Sequence, residues 1–189
     1  SVAALSALKK FEEDNIKEIV ELGAGLGRDT VFLAKNKINV EALDYSSTAI
    51  KIIEEKAKDD NLSNLISTKH FDIRNKLPYE DNSINGIFSH MLYCMALTNS
   101  DIKKLNDEIL RVLKPGGINI YSVRNTNDGD YKKGIHRGED MYENDGFIIN
   151  FFSKKKVNSL LKGFKNLSTT NFEEGNFPRK LFLIQNKKL

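Results

Sequence analysis

Apolar runs of four to seven residues alternate along the chain with longer amphipathic stretches, a pattern that predicts βα units wound around a largely parallel sheet. The runs at 18–22, 39–43, 65–71, 84–90, 117–123, 167–172 and 181–185 read as strands, and the first three stop at Gly23, Asp44 and Asp72. Helices are expected between them. Ser46 or Ser47 caps one at 49–58, and Asn99 or Ser100 caps another whose Ile102, Leu105, Ile109 and Leu113 recur at helical spacing until Pro115-Gly116-Gly117 ends it. A further helix is expected at 153–161. Val2, Leu5, Leu8 and Phe11 fit a helix already under way at Ser1, which points to native sequence upstream. Only residues 173–178 separate the last two strands, so these pair as an antiparallel hairpin at the sheet edge. Residues 125–145 are polar, glycine-containing and aperiodic, and read as a structureless insertion that acts as a lid or stays mobile at the ligand-binding edge. The fold class is α/β: a seven-stranded, mostly parallel sheet with helices on both faces, in one domain over 1–189.

Composition narrows this picture. With 189 residues, 40% hydrophobic and 29% charged, the chain fits one globular domain that buries about 70% of its unfolded surface. The net charge of +3 is too slight to argue for wholesale nucleic-acid binding, but it is unevenly spread: from residue 150 onward nine basic side chains face two acidic ones. A single cysteine, Cys94, forms no internal disulfide and supplies no metal cluster, which points to a reducing, cytoplasmic setting. No apolar run approaches the roughly 18 residues of a membrane span, and no basic-then-apolar leader opens the chain.

The strongest local signal is Glu21-Leu22-Gly23-Ala24-Gly25-Leu26-Gly27-Arg28, a strand that ends in three alternate glycines before a helix. Glycine there lets a nucleotide-like ligand lie against bare backbone near peptide N–H groups and a helix amino terminus. Asp44, 21 positions past Gly23, can accept both hydroxyls of a ribose. A dinucleotide fingerprint wants glycine at its sixth position, where this chain has Arg28, so NAD is disfavoured without being excluded.

These motifs, followed by Leu43-Asp44-Tyr45-Ser46, Asp72-Ile73, Leu77-Pro78-Tyr79-Glu80-Asp81-Asn82-Ser83 and Glu108 through Gly117, resemble those of class I S-adenosylmethionine (SAM) dependent methyltransferases, in the order expected of that family. The resemblance implies a Rossmann-like fold, SAM as the methyl donor and S-adenosylhomocysteine as the product. It also implies site residues: Glu21 as part of the binding motif, Gly23, Gly25 and Gly27 beside the methionine part, Asp44 on the ribose and Tyr45 on the adenine. Asp72 and the backbone of Ile73 would meet the adenine edge, and Ser89 would face the methionine amino group through its carbonyl. In length the chain is similar to the small tellurite-resistance and thiopurine-type members.

Methyl transfer from a sulfonium needs alignment more than acid–base help, so a catalytic base is optional. The acceptor-side candidates are Tyr93 after the fourth strand, with Arg124, Tyr131, His136, Arg137, Asp140 and Tyr142 from the insertion and Arg179 beyond it; Cys94 reads as a buried hydrophobe. His136 is the candidate for a base among them, should one be used. A small-molecule acceptor is expected and no membrane partner. Lys154-Lys155-Lys156 keeps an RNA methyltransferase as an alternative, and a SAM-binding module without catalysis is the other.

Overall fold

The computed structural model describes residues 1–175 and 179–189. In chain order it contains α1 (Val2–Glu13), β1 (Glu18–Leu22), α2 (Arg28–Lys35), β2 (Asn39–Asp44), α3 (Ser47–Asp59), β3 (Ile66–His70), β4 (Ile84–His90), α4 (Asn99–Val112) and β5 (Leu113–Arg124). Three short strands follow, β6 (Ile135–His136), β7 (Met141–Asn144) and β8 (Phe147–Asn150), then α5 (Lys154–Ser159), β9 (Phe164–Glu174) and β10 (Arg179–Lys188).

The main sheet has the strand order β3-β2-β1-β4-β5-β10-β9. Its first five strands run parallel, and β10 lies antiparallel to both β5 and β9. Both faces are covered, and β5 shows how one sequence serves two cores: Ile118 and Ile120 join Phe11, Leu33 and Ile53 of α1, α2 and α3, whereas Tyr121 and Val123 join Leu105, Ile109 and Val157 of α4 and α5. The period of two along a strand makes that division. The chain order reverses between β1 and β4, so the carboxyl ends of β1, β2, β3, β4 and β5 share one edge, where an open α/β sheet holds its ligands. Among the described residues no helix is long and apolar enough to cross a membrane.

The two-layered core and the closing hairpin match the sequence pattern; several boundaries differ for physical reasons. Strands β5, β9 and β10 extend beyond the apolar runs, because ladder hydrogen bonds continue through polar edge residues such as Lys165 and Lys187. Helix α4 is capped by Thr98 rather than by Asn99 or Ser100: the Thr98 hydroxyl accepts from the Asp101 N–H, and the Asp101 carboxylate accepts in turn from the Thr98 N–H. Helix α3 takes Ser46, whose Oγ accepts from the Ala49 N–H. Part of the expected 173–178 connection, 176–178, lies outside the described residues.

The largest departure is the insertion. In place of a structureless stretch, β6, β7 and β8 form a separate antiparallel sheet, with Asn144 opposite Phe147 across a two-residue turn made by Asp145 (φ 49°) and Gly146 (φ 81°). Positive φ at both central positions suits an Asp-Gly turn, whose twist matches that of the flanking strands. Strands of two to four residues, with no fully buried face, leave too short a period for apolar patterning to reveal.

Replacing Thr98 by alanine removes one side of the capping box at the start of α4 and should lower stability by about 1 kcal/mol. The expected readout is a lower urea midpoint with an unchanged slope; an unchanged midpoint would mean that the cap contributes nothing.

Candidate cofactor and acceptor site

The turn after β1 is held from the neighbouring strand. The N–H groups of Gly23 and Ala24 donate to the Leu43 carbonyl at 2.8 and 3.1 Å, and the Gly25 N–H donates to Asp44 Oδ2 at 2.8 Å. The other carboxylate oxygen, Oδ1, accepts from the Ser46 N–H at 2.9 Å, so Asp44 also shapes the entry to α3. Gly27 closes the turn by donating to the Ala24 carbonyl at 3.0 Å. The N–H groups of Gly23, Ala24, Gly25 and Gly27 are therefore spent within the protein, and the turn presents open backbone surface beside the amino terminus of α2.

That surface is opened at one residue in particular. Gly25 lies at φ +55° and a side chain there would meet no atom within 4 Å, whereas a Cβ on Gly27 would come within 2.7 Å of Ile53 Cγ1 on α3. Gly27 thus allows α2 and α3 to approach, and Gly25 leaves clear the space beside Asp44. Gly23 faces Leu92, whose Cδ1 would sit 2.7 Å from an added Cβ. The glycines, Asp44, Asp72 and Ser89 occupy adjacent strand ends, as expected for one nucleoside cleft.

The remaining cofactor candidates divide. Tyr45 is 75% exposed at the tip of β2, a free aromatic face beside the cleft. Its carbonyl lies 2.6 Å from His70 Nε2, which ties the tips of β2 and β3 together. Ile73 is half-buried; Asp72 accepts from the backbone N–H, Nε and Nη2 of Arg74, and those bonds hold its carboxyl below the usual range. Ser89 is fully buried, and its Oγ has no hydrogen-bond partner. Glu21 lies behind the turn, 2% exposed, where its Oε2 accepts from Thr30 Oγ1 at 2.5 Å. Burial pushes its carboxyl up to about 8, opposed by the Thr30 hydrogen bond and assisted by nearby Asp29 and Asp44. Its local role is to tie β1 to α2 beneath the glycines.

On the acceptor side, a cavity of about 920 Å³ opens beyond the tip of β4, between the segment at 91–95, the end of β5 and the β6–β8 sheet. Arg124 and Arg179 line it. Arg124 is pinned by Asp128 and, at 2.6 Å, by Asp130; burial would raise the Asp128 carboxyl, but its bond to Arg124 and the N–H groups of Asp130 and Lys180 hold it low. Two candidates are displaced. Tyr93 is fully buried, stacked on Tyr121 at 4.5 Å, because its ring completes the core under α4 and does not face the cavity. His136 is exposed on β6, stacked on Tyr142, with Nε2 2.9 Å from the Glu139 carbonyl. Tyr131 packs edge-on to Tyr142 and donates to Asp140 at 3.2 Å, and Arg137 pairs with Glu143, so these four support the insertion itself. Cys94 is buried, as expected, and burial pushes its thiol up to about 11.

Sequence reasoning missed a network at the same edge. His90 Nδ1 lies 2.7 Å from Ser122 Oγ, His90 Nε2 lies 3.6 Å from Glu174, and Glu174 pairs at 3.1 Å with Arg28, the residue after the glycine turn. Burial pushes the imidazole pKa down, so His90 is neutral near pH 7. The next residue, Met91, has φ 58° and donates its N–H to both the carbonyl and the hydroxyl of Ser122, at 3.0 and 3.1 Å. An unbranched residue held in the left-handed region beside a cleft marks backbone that the surroundings over-determine. Only the position of His90 at a strand end could have flagged it, since its partners lie 32 and 84 residues away in sequence. The lysine run also changes meaning. Lys156 turns inward, with Nζ 2.5 Å from Asn150 Oδ1 and 4.5 Å from the Phe152 ring, so it does not extend an exposed basic face.

Comparison with known proteins bears on this arrangement. Residues 19–117 match the family described as "Methyltransferase domain". The chain is 40% identical over 102 residues to phosphoethanolamine N-methyltransferase 1 of Triticum aestivum, covering 53% of this chain and 20% of that protein. It thus spans about a fifth of the length of that relative. In fold it is similar to a SAM-dependent methyltransferase of Methanosarcina mazei (TM-score 0.75, 22% identity, 91% and 92% of the two chains covered). It is also similar to the 1,6-didemethyltoxoflavin-N1-methyltransferase of Burkholderia thailandensis, solved with 1,6-didemethyltoxoflavin and S-adenosylhomocysteine (TM-score 0.75, 14% identity, 98% and 78% covered).

The Glu21 carboxyl yields a signed pH prediction. Its folded pKa, about 8, lies above the ordinary 4.5, so its contribution to stability is full below pH 4.5 and is lost as the pH rises through 8. Glu21→Gln cannot ionise. The difference in melting temperature, wild type minus variant, should fall steadily from pH 5 to pH 8 in calorimetry; parallel profiles would place the carboxylate in a solvated setting instead.

Proposed function

The chain belongs to the methyltransferase-domain family, whose members use SAM, and we propose that it transfers the methyl group of SAM to a small-molecule acceptor seated at the tip of β4. The observation that carries this reading is the open space over Gly25, bounded by the Asp44 carboxylate. Two features support SAM as the occupant: a Cβ at Gly25 would project into open space with no atom within 4 Å, and the Asp44 carboxylate has the two acceptor oxygens that a ribose diol requires. When bound, SAM supplies a methyl carbon already activated on a sulfonium; the acceptor's lone pair forms the new bond, the carbon–sulfur electron pair stays on sulfur, and any acceptor proton passes to solvent.

The chain's own residues then have separable tasks. Asp44 takes the sugar while keeping the Gly25 N–H, and Tyr45 and Ile73 flank the base, with Asp72 at its edge. Ser89, Gly23, Gly25 and Gly27 border the methionine portion. Met91, held by the Ser122 carbonyl and hydroxyl, the latter also bonded to His90, aims the chain from the cofactor cleft into the acceptor cavity. No side chain in the cavity needs to act as a base, which accords with the burial of Tyr93 and the placement of His136 on the outer strand of the insertion. A small acceptor is favoured over RNA by the size of the cavity, about 920 Å³, and by the inward turn of Lys156.

Titration calorimetry with SAM and S-adenosylhomocysteine tests the cofactor half. Asp44→Ala should weaken both by about 1.5 to 3 kcal/mol through lost charge-assisted hydrogen bonds. Gly25→Val should abolish binding while the protein stays folded, since its side chain would point into empty space at a backbone cost of about 1 to 2 kcal/mol. Undiminished affinity in either variant would contradict the assignment.

A further inference from the structure

The acceptor cavity has two unlike walls. Met91, Met95, Phe147 and Ile149 make one of them apolar, and two of these are unusually uncovered for their size: Met95 is 50% exposed and Phe147 68%. Large apolar side chains left open beside a cleft mark a surface that a ligand covers. Leu26 (60%) and Tyr45 (75%) stand open on the same sheet edge, over the cofactor cleft. The charged part of the lining is balanced. Among the described residues, Arg124, Lys133 and Arg179 face Asp128, Asp130 and Asp145 there. Arg124, the most buried of the cations, is already held by two carboxylates. Such a wall makes no net demand for an anion, yet offers hydrogen-bond donors and acceptors along one edge.

We propose that the acceptor is a bulky, ring-bearing organic molecule without net charge, its apolar face against Met91, Met95, Phe147 and Ile149 and its polar substituents turned to the Arg124–Asp128–Asp130 wall. This rests on the methyl-transfer reading and specifies its substrate class. A compact hydrated anion would leave the apolar wall wet and would find the central guanidinium already paired. A ring gains from both methionines, whose polarizable sulfurs suit aromatic edges, and about 920 Å³ accommodates two fused rings.

The test uses the full chain saturated with S-adenosylhomocysteine and three probes: 2-naphthol, 3-hydroxy-2-naphthoate and phosphoethanolamine. Calorimetry reads binding, and transfer of label from methyl-labelled SAM reads turnover. The expected order is 2-naphthol tightest, the naphthoate weaker, and phosphoethanolamine weakest by about tenfold or more. Phe147→Asp and Met95→Asp, both at exposed positions that folding does not depend on, should each weaken 2-naphthol by about tenfold and leave S-adenosylhomocysteine affinity unchanged. Phosphoethanolamine binding as tightly as 2-naphthol, or indifference of 2-naphthol to both variants, would overturn the proposal. Failure of S-adenosylhomocysteine to bind, read before any probe is added, would overturn the methyl-transfer reading itself and the acceptor class with it.

Discussion

The hydrogen bond from the Gly25 N–H to the Asp44 carboxylate is the contact on which the site depends. It joins the turn after β1 to the tip of β2, and it exists because the two strands pair in parallel with Leu22 beside Leu43, which brings their carboxyl ends level. Asp44 is thereby only 7% exposed. A buried carboxylate is costly unless its oxygens are satisfied. Backbone N–H groups from the turn and from the start of α3 meet that requirement without occupying the cleft. The acid that suits a sugar also builds the turn that suits the rest of the nucleoside.

The tip of β4 divides this cleft from the acceptor cavity. Ser89 is buried at this tip and Met91 lines the cavity beyond it, and between them His90 turns to Ser122 and Glu174. Glu174 reaches on to Arg28, directly after the glycine turn. The carboxyl end of β9 and the amino end of α2 are therefore bridged by one ion pair. The strained backbone at Met91 is held where the two halves meet.

The features legible in sequence were those written locally. Three alternate glycines after an apolar run, an acid at the end of the next run, and two final runs without a helix between them are short-range signals, and the fold bears out the architecture they imply. What escaped depends on side-chain contacts that only the folded chain makes or on periods too short to read. Nothing around Tyr93 distinguishes a ring stacked on Tyr121 in the core from one facing a ligand. The inward turn of Lys156 depends on Asn150 and Phe152, and the His90 network on strands from the far end of the chain. The β6–β8 sheet had one local signal, Asp145-Gly146, the favoured pair for a tight hairpin turn, which the polar composition around it obscured.

A crystal structure of the chain with S-adenosylhomocysteine tests the central claim most directly. Both ribose hydroxyls are expected on the Asp44 carboxylate, the amino-acid portion passing over Gly25, the adenine beside Tyr45 and Ile73, and the sulfur facing the Met91 side of the β4 tip. A nucleoside bound elsewhere, or bound with Asp44 turned away from its sugar, would contradict it.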